Sequence, residues 1–171
     1  MMSDGKVSHD SETPAHGQQI FSVCAFVHQK FDGVEKLFLP RRAESKKFWP
    51  GVYELPGGHV DWGETFEAAL IREVKEEFGM DINVGDPYHV FTYDNHVKGS
   101  HSVEIIYFAT FKSSLDQIKL HPDDHLEYKW LSEKELPQIF GIGGKDEDNA
   151  EVLAMKHGFA LLNGHRQINF G

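Results

Sequence analysis

Between Gly58 and Gly79 the chain carries Glu64, Arg72, Glu73, Glu76 and Glu77, and their spacing turns a charge-rich stretch into a potential site. On an α-helix each residue advances by about 100°, so Glu76 and Glu77 flank the azimuth of Glu73 one turn further along. Three carboxylates then share one small patch. Like charges three and four residues apart each cost a few tenths of a kcal/mol, and Glu76 and Glu77 fall in the last turn, where the helix dipole disfavours anions. Local stability would place Lys or Arg there. Hard divalent cations held by carboxylate oxygens remove the repulsion, so the pattern points to metal-assisted chemistry. A solvated glutamate-rich helix end is the alternative.

The elements that must position these residues are legible around them. Thr65 is a plausible N-cap for a helix to Phe78, with Gly79 as its stop. Leu70, Val74 and Phe78 recur at four-residue spacing, and Ala69 and Ile71 broaden the stripe toward a core. Upstream, Gln19 to His28 and Lys36 to Pro40 read as a hairpin about Asp32-Gly33. The connection from Arg41 to Gly58 is long, and loops of that length in a compact domain are usually functional or disordered. Downstream, Tyr88 to Tyr93, Val103 to Phe111 and Glu127 to Leu131 read as strands. The second is apolar on both faces, as in a sheet covered on both sides. A closing helix runs from Ala150 to Leu162, with Val152, Met155, Phe159 and Leu162 on one side. The expected fold is α/β: a mixed β-sheet between helices, an α/β/α sandwich. Residues 1–18 are polar and aperiodic and read as a flexible leader, leaving 19–171 as one domain.

Composition narrows the function classes. The formal charge of -10 argues against long nucleic acid as a partner, because lysine and arginine neutralise phosphate in such complexes. Small phosphate compounds remain compatible if divalent cations lie between protein and ligand. The one cysteine, Cys24, lies in an apolar run, which excludes a disulfide framework and suits a buried thiol in a reducing, cytoplasmic setting. No apolar stretch approaches the roughly 20 residues needed to cross a bilayer, so no membrane role is expected. The histidines form no H-x-x-x-H or H-E-x-x-H pair, leaving zinc catalysis unsupported.

The segment Gly58 to Met80 follows G-x5-E-x7-R-E-U-x-E-E-x-G-U, with U a bulky apolar residue, and so resembles the Nudix hydrolases. The resemblance extends over Gln19 to Leu131 and implies the same sandwich fold. It also implies hydrolysis of a nucleoside diphosphate linked to another group, with Mg2+ or Mn2+ as cofactor and a small nucleoside phosphate as substrate. Carried over by position, Glu73 is the general base as well as a possible metal ligand, Glu76 and Glu77 are metal ligands, and Arg72 and Glu64 brace the motif. The carbonyl of Gly57 matches a family metal ligand, although a purely conformational role for the Gly57-Gly58 pair is an equal alternative. A homodimer is a further expectation by resemblance.

Outside the motif the signals are weaker. Arg41-Arg42 resembles the double arginine of the family's nucleoside triphosphate pyrophosphatases, which makes Arg42 a candidate phosphate contact. Glu54 to Gly57 likewise resembles their substrate-lining segment, with Glu54 as a candidate substrate residue. A solvated basic strand end is the plain alternative for the arginines. Asp124, six residues before Trp130, resembles an extra loop acid frequent in the family and is by that resemblance a candidate auxiliary metal ligand or base, or else an ordinary loop charge. Phe48, Trp49, Tyr53 and Tyr93 are candidates to stack on a base, or core residues. Downstream, Asn95 to Lys98 holds neither the proline of the family's ADP-ribose hydrolases nor the tyrosine of its dinucleoside polyphosphate hydrolases. The balance favours a nucleoside triphosphate such as an oxidised dGTP, with nucleoside diphosphate sugars (ADP-ribose, GDP-mannose) as runner-up. A non-catalytic nucleotide sensor is disfavoured by the intact glutamates. The isopentenyl diphosphate isomerases share the fold but need a catalytic cysteine, for which Cys24 in the first strand is poorly placed.

Overall fold

The apolar run that begins at Gln19 becomes the strand around which the other elements are arranged. The structure, a computed structural model, describes residues 12–164. Its elements are β1 (Gln19–Phe31), β2 (Val34–Arg42), β3 (Gly57–His59), α1 (Phe66–Phe78), β4 (Ile82–Asn95), β5 (Ser100–Phe111), β6 (His125–Leu131) and α2 (Ala150–Leu162). Short 3-10 helices occupy Leu115–Gln117, Glu133–Ile139 and Ile142–Gly144.

The strand order is β4-β5-β1-β2-β6, with β3 paired to β1 beside this path. β1 runs parallel to β5 from Gln19 to Val27, while the other pairings are antiparallel, so the sheet is mixed. On its other edge β1 meets β3 through Ser22 to Cys24 and β2 only from His28 to Phe31. That edge changes partners part-way along, and the chain opens a cavity there.

Alternation along β1 feeds two cores. Val23, Ala25 and Val27 pack with Leu70, Val74 and Phe78 of α1 on one face. Cys24 and Phe26 pack with Ala154, Met155 and Phe159 of α2 on the other. β5 divides likewise: Tyr107 joins the first core and Ile106 the second, as a doubly covered sheet requires. Fully burying side chains such as Leu70 or Phe78 contributes roughly 1.5–3 kcal/mol each. The architecture is the expected α/β/α sandwich.

Several local expectations need adjusting. Ile71 does not widen the apolar stripe: it is 41% exposed, and Glu73 takes a buried place on α1 instead. Leu162 is likewise exposed, as the last residue of α2. The connection from Arg41 to Gly58 runs into β3 and is pinned by Arg42 N–H to the Val52 carbonyl (2.9 Å) and Glu54 N–H to the Pro40 carbonyl (3.0 Å). Of the expected leader, residues 1–11 lie outside the described residues, whereas Ala15 and Gly17 donate backbone hydrogen bonds to Lys98 and Gly99. The last part of the leader therefore docks on the β4–β5 turn.

Candidate active site

α1 begins where Thr65 accepts from the Ala68 N–H (3.2 Å) and ends at Gly79, whose φ of 66° is the left-handed value that glycine adopts freely. Between these caps its polar face carries the acids. Arg72 ties them to the preceding loop. Its Nε and Nη2 each reach a Glu64 carboxylate oxygen at 3.0 Å, Nη1 reaches Glu73 at 2.8 Å and Glu76 at 3.3 Å, and Nη2 also donates to the His59 carbonyl at 3.0 Å. Glu64 in turn accepts from the Asp61 N–H (3.2 Å). Hydrogen bonds to Glu64, then to Glu73, raise the already high pKa of Arg72, so its charge is permanent.

Gly58 makes room for Glu73. A Cβ there would stand 2.6 Å from the Glu73 carboxyl carbon, and one at Gly57 would stand 2.1 Å from the Val23 carbonyl oxygen and 2.9 Å from the Cys24 sulfur. The Gly57-Gly58 pair is thus a thin wall, with Glu73 against one residue and Cys24 against the other. Gly57 also holds a φ of 152°.

Glu77 has an Oε2 fully enclosed and without a hydrogen-bond partner. Burial, followed by the Glu54, Glu73 and Asp124 carboxylates, pushes its pKa well above the carboxylate range. Among the described residues no three His, Cys, Asp or Glu side chains already converge to grip one ion. An orphaned, enclosed carboxylate oxygen among further acids is nonetheless the donor set a hard divalent cation prefers, and Mg2+ or Mn2+ fits it.

Facing α1 across a cavity of about 400 Å³ stand the other sequence candidates. Arg42 Nη1 bonds Glu54 at 3.2 Å and its Nε donates to the Phe48 carbonyl at 3.1 Å. Burial works against the Arg42 charge, but Glu54 outweighs it and raises the pKa. Burial also works against the Glu54 charge, yet Arg42 and then His125 (3.1 Å) hold its pKa at about 2. Asp124 lines the cavity too, paired with Lys46 at 2.6 Å and His121 at 3.1 Å. The structure thus brings Glu73, Glu76, Glu77, Gly57, Arg42, Glu54 and Asp124 to one cavity. Glu64 and Arg72 stand behind it. Phe48, Trp49 and Tyr93 line it as well, whereas Tyr53 belongs to the α2-side core, its hydroxyl on Glu127 at 2.5 Å.

Lys46, Glu104, Lys145 and Glu151 are among the cavity residues that escaped the sequence reading, as are Ser22, Phe91 and His125. Lys145, from the glycine-rich loop after Phe140, pairs with Glu151 of α2 and donates to the Tyr53 carbonyl (3.2 Å). Glu104 carried a usable signal, a lone acid in the apolar run Val103 to Phe108. Cys24 is buried, as expected, but its side of β1 also faces the cavity beside Glu104. Its burial, then Glu104, pushes the thiol pKa up, so it stays protonated.

The NUDIX domain model matches residues 20–154, most of the chain and all of this cavity's framework. The chain belongs to the Nudix family. Among solved structures, this Nudix chain is similar to a MutT NUDIX hydrolase from Burkholderia pseudomallei, with 27% identity and a TM-score of 0.63 over 82% of this chain and 98% of that one. An Ap4A hydrolase from C. elegans, 24% identical, shares the fold with a TM-score of 0.67 over 85% of this chain and 98% of that one. Among curated proteins it is similar to an isopentenyl-diphosphate Delta-isomerase of Citrobacter koseri, 34% identical over 128 residues. That match takes in 72% of this chain, which spans 65% of the relative's length. No helix among the described residues is long and apolar enough to cross a membrane.

Proposed function

We propose that this Nudix protein hydrolyses the diphosphate linkage of a nucleoside triphosphate, with an oxidised dGTP among its candidate substrates, to a monophosphate and pyrophosphate. The observation that carries this reading is the placement of Arg42, Lys46 and Lys145 around the same cavity as Glu73, Glu76 and Glu77. Three cations suit the oxygens of a polyphosphate, and the acids suit the metal that accompanies it.

The Gly57 carbonyl, Glu73, Glu76, Glu77 and Asp124 would hold Mg2+ or Mn2+, which when bound neutralises phosphate charge and lowers the pKa of water. Glu73 accepts the proton of the attacking water. Arg72, itself braced by Glu64, keeps the Glu73 carboxylate oriented. Arg42 contacts substrate phosphate, with Glu54 and the Phe48 carbonyl fixing its guanidinium. A reducing cytoplasm suits the buried thiol of Cys24.

The test is hydrolysis of nucleoside triphosphates, oxidised dGTP, nucleoside diphosphate sugars and dinucleoside polyphosphates with Mg2+, beside a Glu73→Gln variant. Pyrophosphate release from triphosphates that vanishes in the variant is expected. Turnover of sugar nucleotides alone would overturn the triphosphate reading.

A second reading draws on the curated relatives: rearrangement of isopentenyl diphosphate. Its supporting observation is Cys24, a buried core residue, as its sequence position suggested, that also lines the cavity beside Glu104. Incubation with isopentenyl diphosphate and Mg2+, followed by NMR, would reveal the rearranged isomer. An unchanged spectrum would remove this reading.

A further inference from the structure

Beside the Gly57-Gly58 pair the cavity is also lined by a group of residues whose side chains the proposed hydrolysis and its metal do not use. Its polar centre is Glu104, on β5 in register with Ser22 of β1 and Phe91 of β4, at 7% exposure. A carboxylate in a central strand, between Val103 and Ile105, opposes every local preference of the sheet. Its donors from the protein are the Ser22 hydroxyl, 3.4 Å from Oε2, and the Cys24 thiol. Burial and the facing Glu151 carboxylate hold its pKa above the usual range. Lys145, the nearby cation, is engaged with Glu151 and the Tyr53 carbonyl.

Flat rings line the same cavity. Phe48 and Tyr93 lie 5.9 Å apart at 17°, Phe91 stands 6.1 Å from Tyr93, and Trp49 edges Phe48 at 6.2 Å. Such surfaces suit a planar heterocycle, and aromatic contact with a base is tolerant of base identity. Selectivity would therefore come from the one group with directional demands.

We infer that Glu104 is a specificity-determining residue that reads a guanine-type base by accepting two adjacent N–H donors of its Watson–Crick edge. A carboxylate offers about four lone-pair sites, and two protein donors leave acceptors to spare. Among the bases only guanine presents two neighbouring donors, N1–H and the N2 amino group. Adenine and cytosine set a ring-nitrogen lone pair beside their amino donor, and uracil and thymine flank one N–H with two carbonyls. Each of these would press lone pairs against the carboxylate. Oxidation of guanine at C8 leaves the donor edge intact, so guanine and 8-oxoguanine share the recognition chemistry.

This inference rests on the nucleotide reading of the cavity, and its test is a binding measurement so that the two fail separately. The intact protein with Mg2+ is titrated with dGMP, 8-oxo-dGMP, dAMP and inosine monophosphate, which lacks the N2 amino group. At pH 8, above the raised Glu104 pKa of about 7, dGMP should bind at least about tenfold tighter than dAMP and inosine monophosphate, because each loses a hydrogen bond to the ionised carboxylate. The ratio of 8-oxo-dGMP to dGMP affinity separates oxidised from ordinary guanine as the preferred source. In Glu104→Gln the amide presents one donor and one acceptor, which match adenine, so the preference should vanish or reverse. The inosine comparison uses unaltered protein and so stands even if the variant fails to fold.

Equal affinity for dGMP, dAMP and inosine monophosphate would overturn the inference, as would a guanine preference that survives in folded Glu104→Gln. Guanine-selective binding without triphosphate turnover would keep it and remove the hydrolytic reading. Triphosphate turnover without base selectivity would do the reverse.

Discussion

Gly58 and Glu73 occupy one another's space: the hydrogen at Gly58 leaves the gap into which the Glu73 carboxylate folds, and a Cβ would stand 2.6 Å from its carboxyl carbon. Gly58→Ala should therefore displace Glu73 while leaving the backbone unstrained, since Gly58 does not hold a positive φ. A misplacement of about 1 Å costs on the order of 100-fold in rate. Steady-state turnover should fall by that order with an unchanged circular dichroism spectrum. Full activity in Gly58→Ala would show that Glu73 does not need its present position.

Arg72 and Glu64 form a two-point contact, Nε and Nη2 each at 3.0 Å from a carboxylate oxygen. A double-mutant cycle of Arg72→Lys and Glu64→Gln should yield a coupling of roughly 1–3 kcal/mol in stability, because a lysine cannot reproduce the fork. Chemical denaturation of the four proteins measures it. A coupling of zero would reduce the pair to an ordinary surface contact.

Metal-free protein should carry a pH-dependent cost at Glu77. Its folded carboxyl, raised by burial and then by Glu54, Glu73 and Asp124, binds a proton more tightly than the unfolded one near 4.5. As pH rises above 4.5 the unfolded state ionises first, so stability is lost until the folded group also ionises. Glu77→Gln removes that loss and should stabilise the metal-free protein at pH 8 by roughly 1–3 kcal/mol. It should also abolish the Tm increase on adding Mg2+. Thermal melts with EDTA and with Mg2+ check both, and a variant less stable without metal would contradict the account.

Glu54 titrates in the opposite sense. Its pKa falls from 4.5 to about 2 once Arg42 and His125 outweigh burial, so its contribution is complete above pH 4.5 and is lost as pH drops toward 2. The shift corresponds to on the order of 3 kcal/mol. Glu54→Gln should be destabilised by that order at neutral pH, with the deficit shrinking between pH 4.5 and 2. Acid titration of the unfolding midpoint for both proteins tests this, and a pH-independent deficit would point to packing instead.

Much of this protein is local, and local information is written in sequence. The helix Phe66–Phe78 was legible because its caps, its apolar period and its like-charge conflict all lie within one short stretch. The seven fixed residues from Gly58 to Gly79 likewise pointed to the family before any contact was known. The packing of β5 into both cores, Ile106 on one face and Tyr107 on the other, agrees with its double-sided apolarity.

Tertiary structure decided what distance along the chain conceals. Ile71 lies on the exposed side of α1, because the width of an apolar stripe depends on the sheet it meets. Lys145 and Glu151, far from the motif, reach the cavity only because the 3-10 turns and α2 fold back over Tyr53 and Leu55. Cys24 is a core residue, as its apolar run suggested, yet its pairing with Gly57 and its place beside Glu104 at the cavity come from strands distant in the chain. Spacing along one helix is fixed by backbone geometry, whereas the meeting of β1, β3, β5 and α2 depends on long-range pairing that no single segment encodes.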